Sequence, residues 1–151
     1  GFTAAIDERA RAQMIQRAAQ SLVPVMVAPR VLLLVISGCE DAESIAAALA
    51  RLGRAALDAD AAACVVYATF PTEPDREVTL EIAAFDSSAT MIGARAVFSG
   101  TPFVVAALRA QAPHVMVAAS FEEALRRALD SAEQVIEPTS LLARSLKRLK
   151  R

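Results

Sequence analysis

"REVTLEIAAFDSSATMIG", residues 76–93, is the stretch on which the fold turns. Val78, Leu80 and Ile82 alternate as a half-buried strand would, whereas Val78, Ile82, Phe85, Ala89 and Ile92 recur on one face of a helix. The helical period persists for longer, and Gly93 is suited to end a helix. The spacing therefore predicts a helix, and the flanking segments become parts of a strand–helix–strand unit.

Upstream, "ACVVYATF" (63–70) reads as a strand, and "PTEPD" (71–75) as a turn whose two prolines continue neither strand nor helix. Before it, "VPVMVAP" (23–29) and "RVLLLVIS" (30–37) read as strands, the second β-branched and apolar enough to be central. Gly38 ends that run. Asp41 then suits the N-cap of "AESIAAALARLGRAAL" (42–57), where Ile45, Leu49, Leu52 and Ala56 keep helical spacing. At the start, "AIDERARAQMIQRAAQ" (5–20) puts Ile6, Ala10, Met14 and Ala18 on one helical stripe.

Downstream, "ARAVFS" (94–99) reads as a strand and "TPFVVAALRAQA" (101–112) as a helix, with Thr101 as N-cap and Pro102 at the first helical position. "HVMVAA" (114–119) is expected to be a last strand. "SFEEALRRALDSA" (120–132) opens with the capping-box spacing of Ser120 and Glu123. The expectation is an α/β fold: a mixed, partly parallel sheet of about five strands with about four packed helices, plus an N-terminal helix. Residues 1–20 form the linker helix, 21–133 the domain, and 134–151 a tail.

The 151 residues suit one domain, and 55% hydrophobic content can supply a core. The apolar run Leu22–Ile36 contains Pro24, Pro29 and Arg30 and falls short of the ~20 residues of a spanning helix. No secretory signal pattern is visible at Gly1-Phe2-Thr3, and the missing initiator methionine implies a piece of a longer chain or a tag remnant. Aromatic content of 5% without tryptophan argues against base-stacking nucleic-acid surfaces. Cys39 and Cys64 lack metal-ligand spacing and do not make a disulfide framework. Cys64 is expected to be a reduced core thiol, and both suit a cytoplasmic protein.

Charge is uneven. Residues 139–151 carry Arg144, Lys147, Arg148, Lys150 and Arg151 without an acid, so with −1 overall the rest carries −6. In "SLLARSLKRLKR", Leu142, Leu146 and Leu149 share a helical stripe between basic residues. Such a tail is either an amphipathic helix for a membrane or an acidic partner, or a solvated disordered segment.

No constellation for catalysis is evident. Gly38-Cys39-Glu40-Asp41 and Gly100-Thr101-Pro102 each offer one glycine, not a phosphate-cradling loop. A phosphorylated receiver domain needs an aspartate at the end of the central strand, and "VVYATF" offers none. There is no G-x-S-x-G elbow, and the sole histidine, His114, lies at the start of a strand after Pro113. No enzymatic activity, cofactor or metal is expected.

The order of elements and several local motifs resemble a STAS domain, the anti-sigma-factor-antagonist fold, and within it the stressosome scaffold proteins. The opening "RAQMIQRAAQSLVPVMVAPRVLLLVISG" is similar to the family's linker helix running into two apolar strands. Gly38 and Asp41 match its G-x-x-D corner; Gly93 and "VFSGTPFVVAAL" match its fourth strand and glycine–proline corner; Ser120, Glu122, Glu123, Ala124 and Leu125 match its last helix. The likeness covers roughly residues 10 to 132.

The resemblance implies a non-catalytic regulatory domain of bacterial stress signalling and transcription control. Its partners would be a kinase-like anti-sigma factor, stressosome-type components or copies of itself. Its interaction face would comprise Thr72, Asp75, Arg76, Thr79, Gly100, Thr101 and Pro102. Family antagonists are phosphorylated on a Ser or Thr that follows an Asp at the start of the helix after the central strand. Here that corner is Asp75, and Arg76 follows it. Thr72 and Thr79 flank it, while Ser87 and Ser88 lie too near Gly93 to begin a helix. Docking without that switch is therefore expected. The alternative is a small-ligand or nucleotide sensor using the helix start at Thr101.

Overall fold

The computed structural model describes residues 22–38 and 41–134, together with 9, 12, 13, 16 and 17. The elements are β1 (Val25–Ala28), β2 (Val31–Ser37), α1 (Ala42–Asp58), β3 (Ala63–Thr69), α2 (Arg76–Met91), β4 (Arg95–Gly100), α3 (Pro102–Gln111) and α4 (Phe121–Gln134). The ambiguous stretch is a helix. Gly93 follows it at φ 79°, a left-handed conformation that glycine adopts without a Cβ clash.

The four strands lie in the order β1-β2-β3-β4. β1 pairs antiparallel with β2, its register shifting between Met26 and Ala28. β2, β3 and β4 are parallel, Val31 opposite Ala63 and Ala63 opposite Arg95. The chain crosses between the parallel strands through α1 and α2.

Six successive residues of β2, Val31 to Ile36, are buried, so both faces of the sheet are covered. Leu32, Leu34 and Ile36 join the side chains of α1, α2 and α3 in one core layer. Val31, Leu33 and Val35 meet Ala124 and Ala128 of α4 in the other. The period of two along β2 thus divides one strand between two cores.

Arg30 closes the β1–β2 turn and donates through Nε to the carbonyl of Asp60 at 2.9 Å, with its Nη2 3.7 Å from the Asp60 carboxylate. Both residues have positive φ, 65° and 51°. One guanidinium thus holds two left-handed turns together. The former apolar run is two strands and this turn, and no helix among the described residues is long and apolar enough to cross a membrane.

Two expectations need correction or restriction. The fifth strand at 114–119 is a single parallel bridge, Val117 opposite Phe98. The Phe98 N–H donates to Met116 O at 2.9 Å, and the Ala118 N–H to Phe98 O at 2.8 Å. Pro113 brings no donor, His114 lies in a turn and not in a strand, and the chain must reach the start of α4 at Phe121, four residues after Val117. The expected N-terminal helix lies outside the described residues apart from 9, 12, 13, 16 and 17, which are helical and exposed. Cys39 and the tail beyond residue 134 also lie outside them.

Candidate functional site

Because β2, β3 and β4 are parallel, their carboxyl ends share one edge of the sheet. Three corners meet there: Gly38 after β2, residues 70–75 after β3, and Thr101 after β4. In open α/β sheets ligands bind outside the carboxyl ends of the strands, at this edge.

Close contacts lace the corners together. A Cβ on Gly38 would stand 2.6 Å from Pro71 Cδ and 2.9 Å from Phe70 Cα, so only glycine lets these two corners touch. The Thr101 N–H donates to Ala68 O at 3.0 Å, and its hydroxyl donates to Phe70 O at 2.6 Å. The Thr69 hydroxyl reaches Ile36 O at 3.4 Å. Phe70 is buried beneath the rim and anchors it.

Thr101 occupies the N-cap position of α3, but its side chain caps nothing. Its hydroxyl is committed to Phe70 across the rim, and Pro102 carries no amide hydrogen. The helix start therefore has fewer free donors for an anion than the sequence suggested.

Asp75 takes the N-cap position of α2, also without a side-chain cap bond. The Thr79 hydroxyl donates instead to Asp75 O at 3.1 Å, a bond back along the first turn. Thr79 is 1% exposed, so its hydroxyl stiffens the corner from inside and does not face a partner. Gly100 is buried as well. Thr72, Asp75, Arg76 and Pro102 are exposed, and Thr101 is half-buried. Ser87 and Ser88 lie within α2 and are exposed.

Acids crowd this edge: Asp41 and Glu43 at the start of α1, and Glu73, Asp75 and Glu77 at the start of α2, with Arg76 among them. Carboxylates near helix N-termini are favoured by the backbone amides there. Asp41 accepts from the Ser44 N–H at 2.7 Å, and this bond holds its carboxyl below the ordinary range. The corner encloses a depression of about 190 Å3, lined by Gly38, Phe70, Thr72, Glu73, Pro74, Asp75 and Val78.

Sequence reasoning missed Phe103, which stands 50% exposed beside Pro102. Its position off the Val104, Val105 and Leu108 stripe was the available signal. Cys64 is fully buried, and burial pushes its thiol up to about 12, so no thiolate forms at neutral pH. His114 sits ahead of the segment that meets β4 in parallel, away from the corners. Among the described residues no three His, Cys, Asp or Glu side chains are grouped to hold a metal ion. The arrangement is a stiff, acidic rim with one exposed cation and one exposed aromatic ring. No family model matches the sequence, and no curated protein matches it.

Proposed function

We propose that this chain is a non-catalytic regulatory domain of the anti-sigma-factor-antagonist type, which acts by docking other proteins on the corners at Gly38, 70–76 and 101–103. The observation that carries the reading is the lacing of the three corners into one edge: half-buried Thr101 bonded to buried Phe70, and exposed Gly38 closed on Pro71. A surface held in one shape loses little freedom on binding.

Arg76 is the specificity element. It stands at the first position of α2 between Asp75 and Glu77, where the resembled family carries a hydroxyl for phosphorylation. A phosphate there would add about two negative charges to a rim already rich in carboxylates, whereas the guanidinium offsets part of that rim's repulsion of an acidic partner. Binding is therefore constitutive with respect to that switch. A kinase-like anti-sigma factor or stressosome-type component in the cytoplasm is the partner class that fits.

The test is affinity capture from the source cell with wild-type chain and Arg76→Asp, followed by titration of whatever protein is retained. The expected result is a partner whose binding weakens by about tenfold or more on charge reversal. Equal capture by both, or tight calorimetric binding of a nucleotide lost on Thr101→Ala, overturns the reading.

A further inference from the structure

A second and larger cavity, about 650 Å3, lies between α1 and α2, away from the corners. Leu49 and Phe85 are among its apolar lining. Near the C-terminal ends of the two helices stand Leu57, 41% exposed, and Met91, 86% exposed. Apolar surface this open commonly marks an interaction site.

Three charged side chains line the same groove: Arg54 and Asp58 on α1 and Glu81 on α2. Among the described residues none of the three makes an ion pair. The groove also holds Gly53, in the interior of a 17-residue helix, where glycine is unfavourable relative to alanine. A Cβ there would meet only Phe85 Cε1, at an ordinary 3.8 Å. The chain's own packing does not demand a glycine at this point, and its bare backbone leaves a hollow open to an element arriving from outside.

We infer that the groove is the contact between two copies of this chain, related by a two-fold axis. A two-fold interface must complement itself, with both signs of charge and both projection and hollow on one patch. This patch has them: Arg54 faces Glu81 or Asp58 of the other copy, and Met91 is the projection opposite the hollow at Gly53. The chain's own residues 139–151 carry cations alone, which would pair with Asp58 and Glu81 but leave Arg54 against like charge, whereas a second copy supplies both signs. The contact lies on a different face from the docking corners and leaves Arg76 free.

Sedimentation equilibrium of the full chain over a concentration series tests this, with wild type, Arg54→Glu, Glu81→Arg, the double exchange and Met91→Asp. Wild type should dimerise. Each single variant should weaken association by about tenfold or more, and the double exchange should recover most of the loss. Far-UV melting verifies that each variant remains folded. A monomer at every concentration overturns the inference, as does a dimer indifferent to Arg54→Glu and Met91→Asp. Neither outcome bears on the corner reading, whose probe is Arg76.

Discussion

Helices α4 and α2 cover opposite faces of the same sheet and finish their outer surfaces differently. The exposed positions of α4 include Glu122, Arg126, Arg127, Asp130 and Glu133, all charged. Beyond Glu81, those of α2 are Ala84, Ser87, Ser88, Thr90 and Met91, none charged. The cores beneath differ too. The layer under α1, α2 and α3 buries Phe70, Phe85 and Phe98, while the layer under α4 buries Ala118, Ala124 and Ala128, with Tyr67 and Phe121 packed edge to face at its margin. The thinner layer lies under an exterior charged along its whole helix; the thick layer lies under one that is charged on α1 and at the start of α2 and neutral only over the last turns of α2.

The contrast can be broken most severely at Phe98, which is fully buried in the thick layer. Phe98→Ala should cost about 3–5 kcal/mol in urea denaturation, because the ring leaves a cavity that flanking strands cannot close. A loss under about 1 kcal/mol would mean that the layer is loosely packed. The next effect lies on the other side. Ala128 is fully buried between α4 and the sheet, and Ala128→Leu should cost about 1–3 kcal/mol by overpacking. A neutral outcome would show slack where close approach is argued.

The smallest effect compares the starts of two helices, one on each face. Asp41 is held below its ordinary value of 3.8 chiefly by the Ser44 N–H, and Glu123 below 4.5 chiefly by the Ala119 N–H. Depressed carboxyls stabilise the fold fully above their unfolded values and lose that contribution as pH falls through the folded ones. Melting temperature should therefore fall below about pH 4, and Asp41→Asn with Glu123→Gln should flatten the decline. A pair whose acid profile matches wild type would remove these bonds from the account.

Much of this architecture was legible because period and punctuation agreed. Ile45, Leu49, Leu52 and Ala56 are all buried where the helical spacing put them. Asp41 caps α1 as expected, and Ser120 accepts from the Glu123 N–H at 3.2 Å. The failures came where a side chain found a distant partner. Thr101 reads locally as a cap, yet a carbonyl 31 residues away is its acceptor. Thr79 reads as a surface hydroxyl, yet the buried face of α2 passes through Thr79 while Val78 is only half-buried. "HVMVAA" has strand composition, but pairing depends on room beside β4, which no local pattern reports. The α1–α2 groove left a fainter trace: neutral residues at Ala84, Ser88 and Met91, where an isolated helix would carry charge.

The bonds between Thr101 and Phe70, and the closure of Gly38 on Pro71, have a kinetic consequence. A visitor finds this edge already in its final shape, so nothing must be rearranged before contact becomes productive. For a partner docked as proposed, encounter then turns on orientation and charge, and reversing the exposed charge at Arg76 would act first on the speed of formation and its salt dependence.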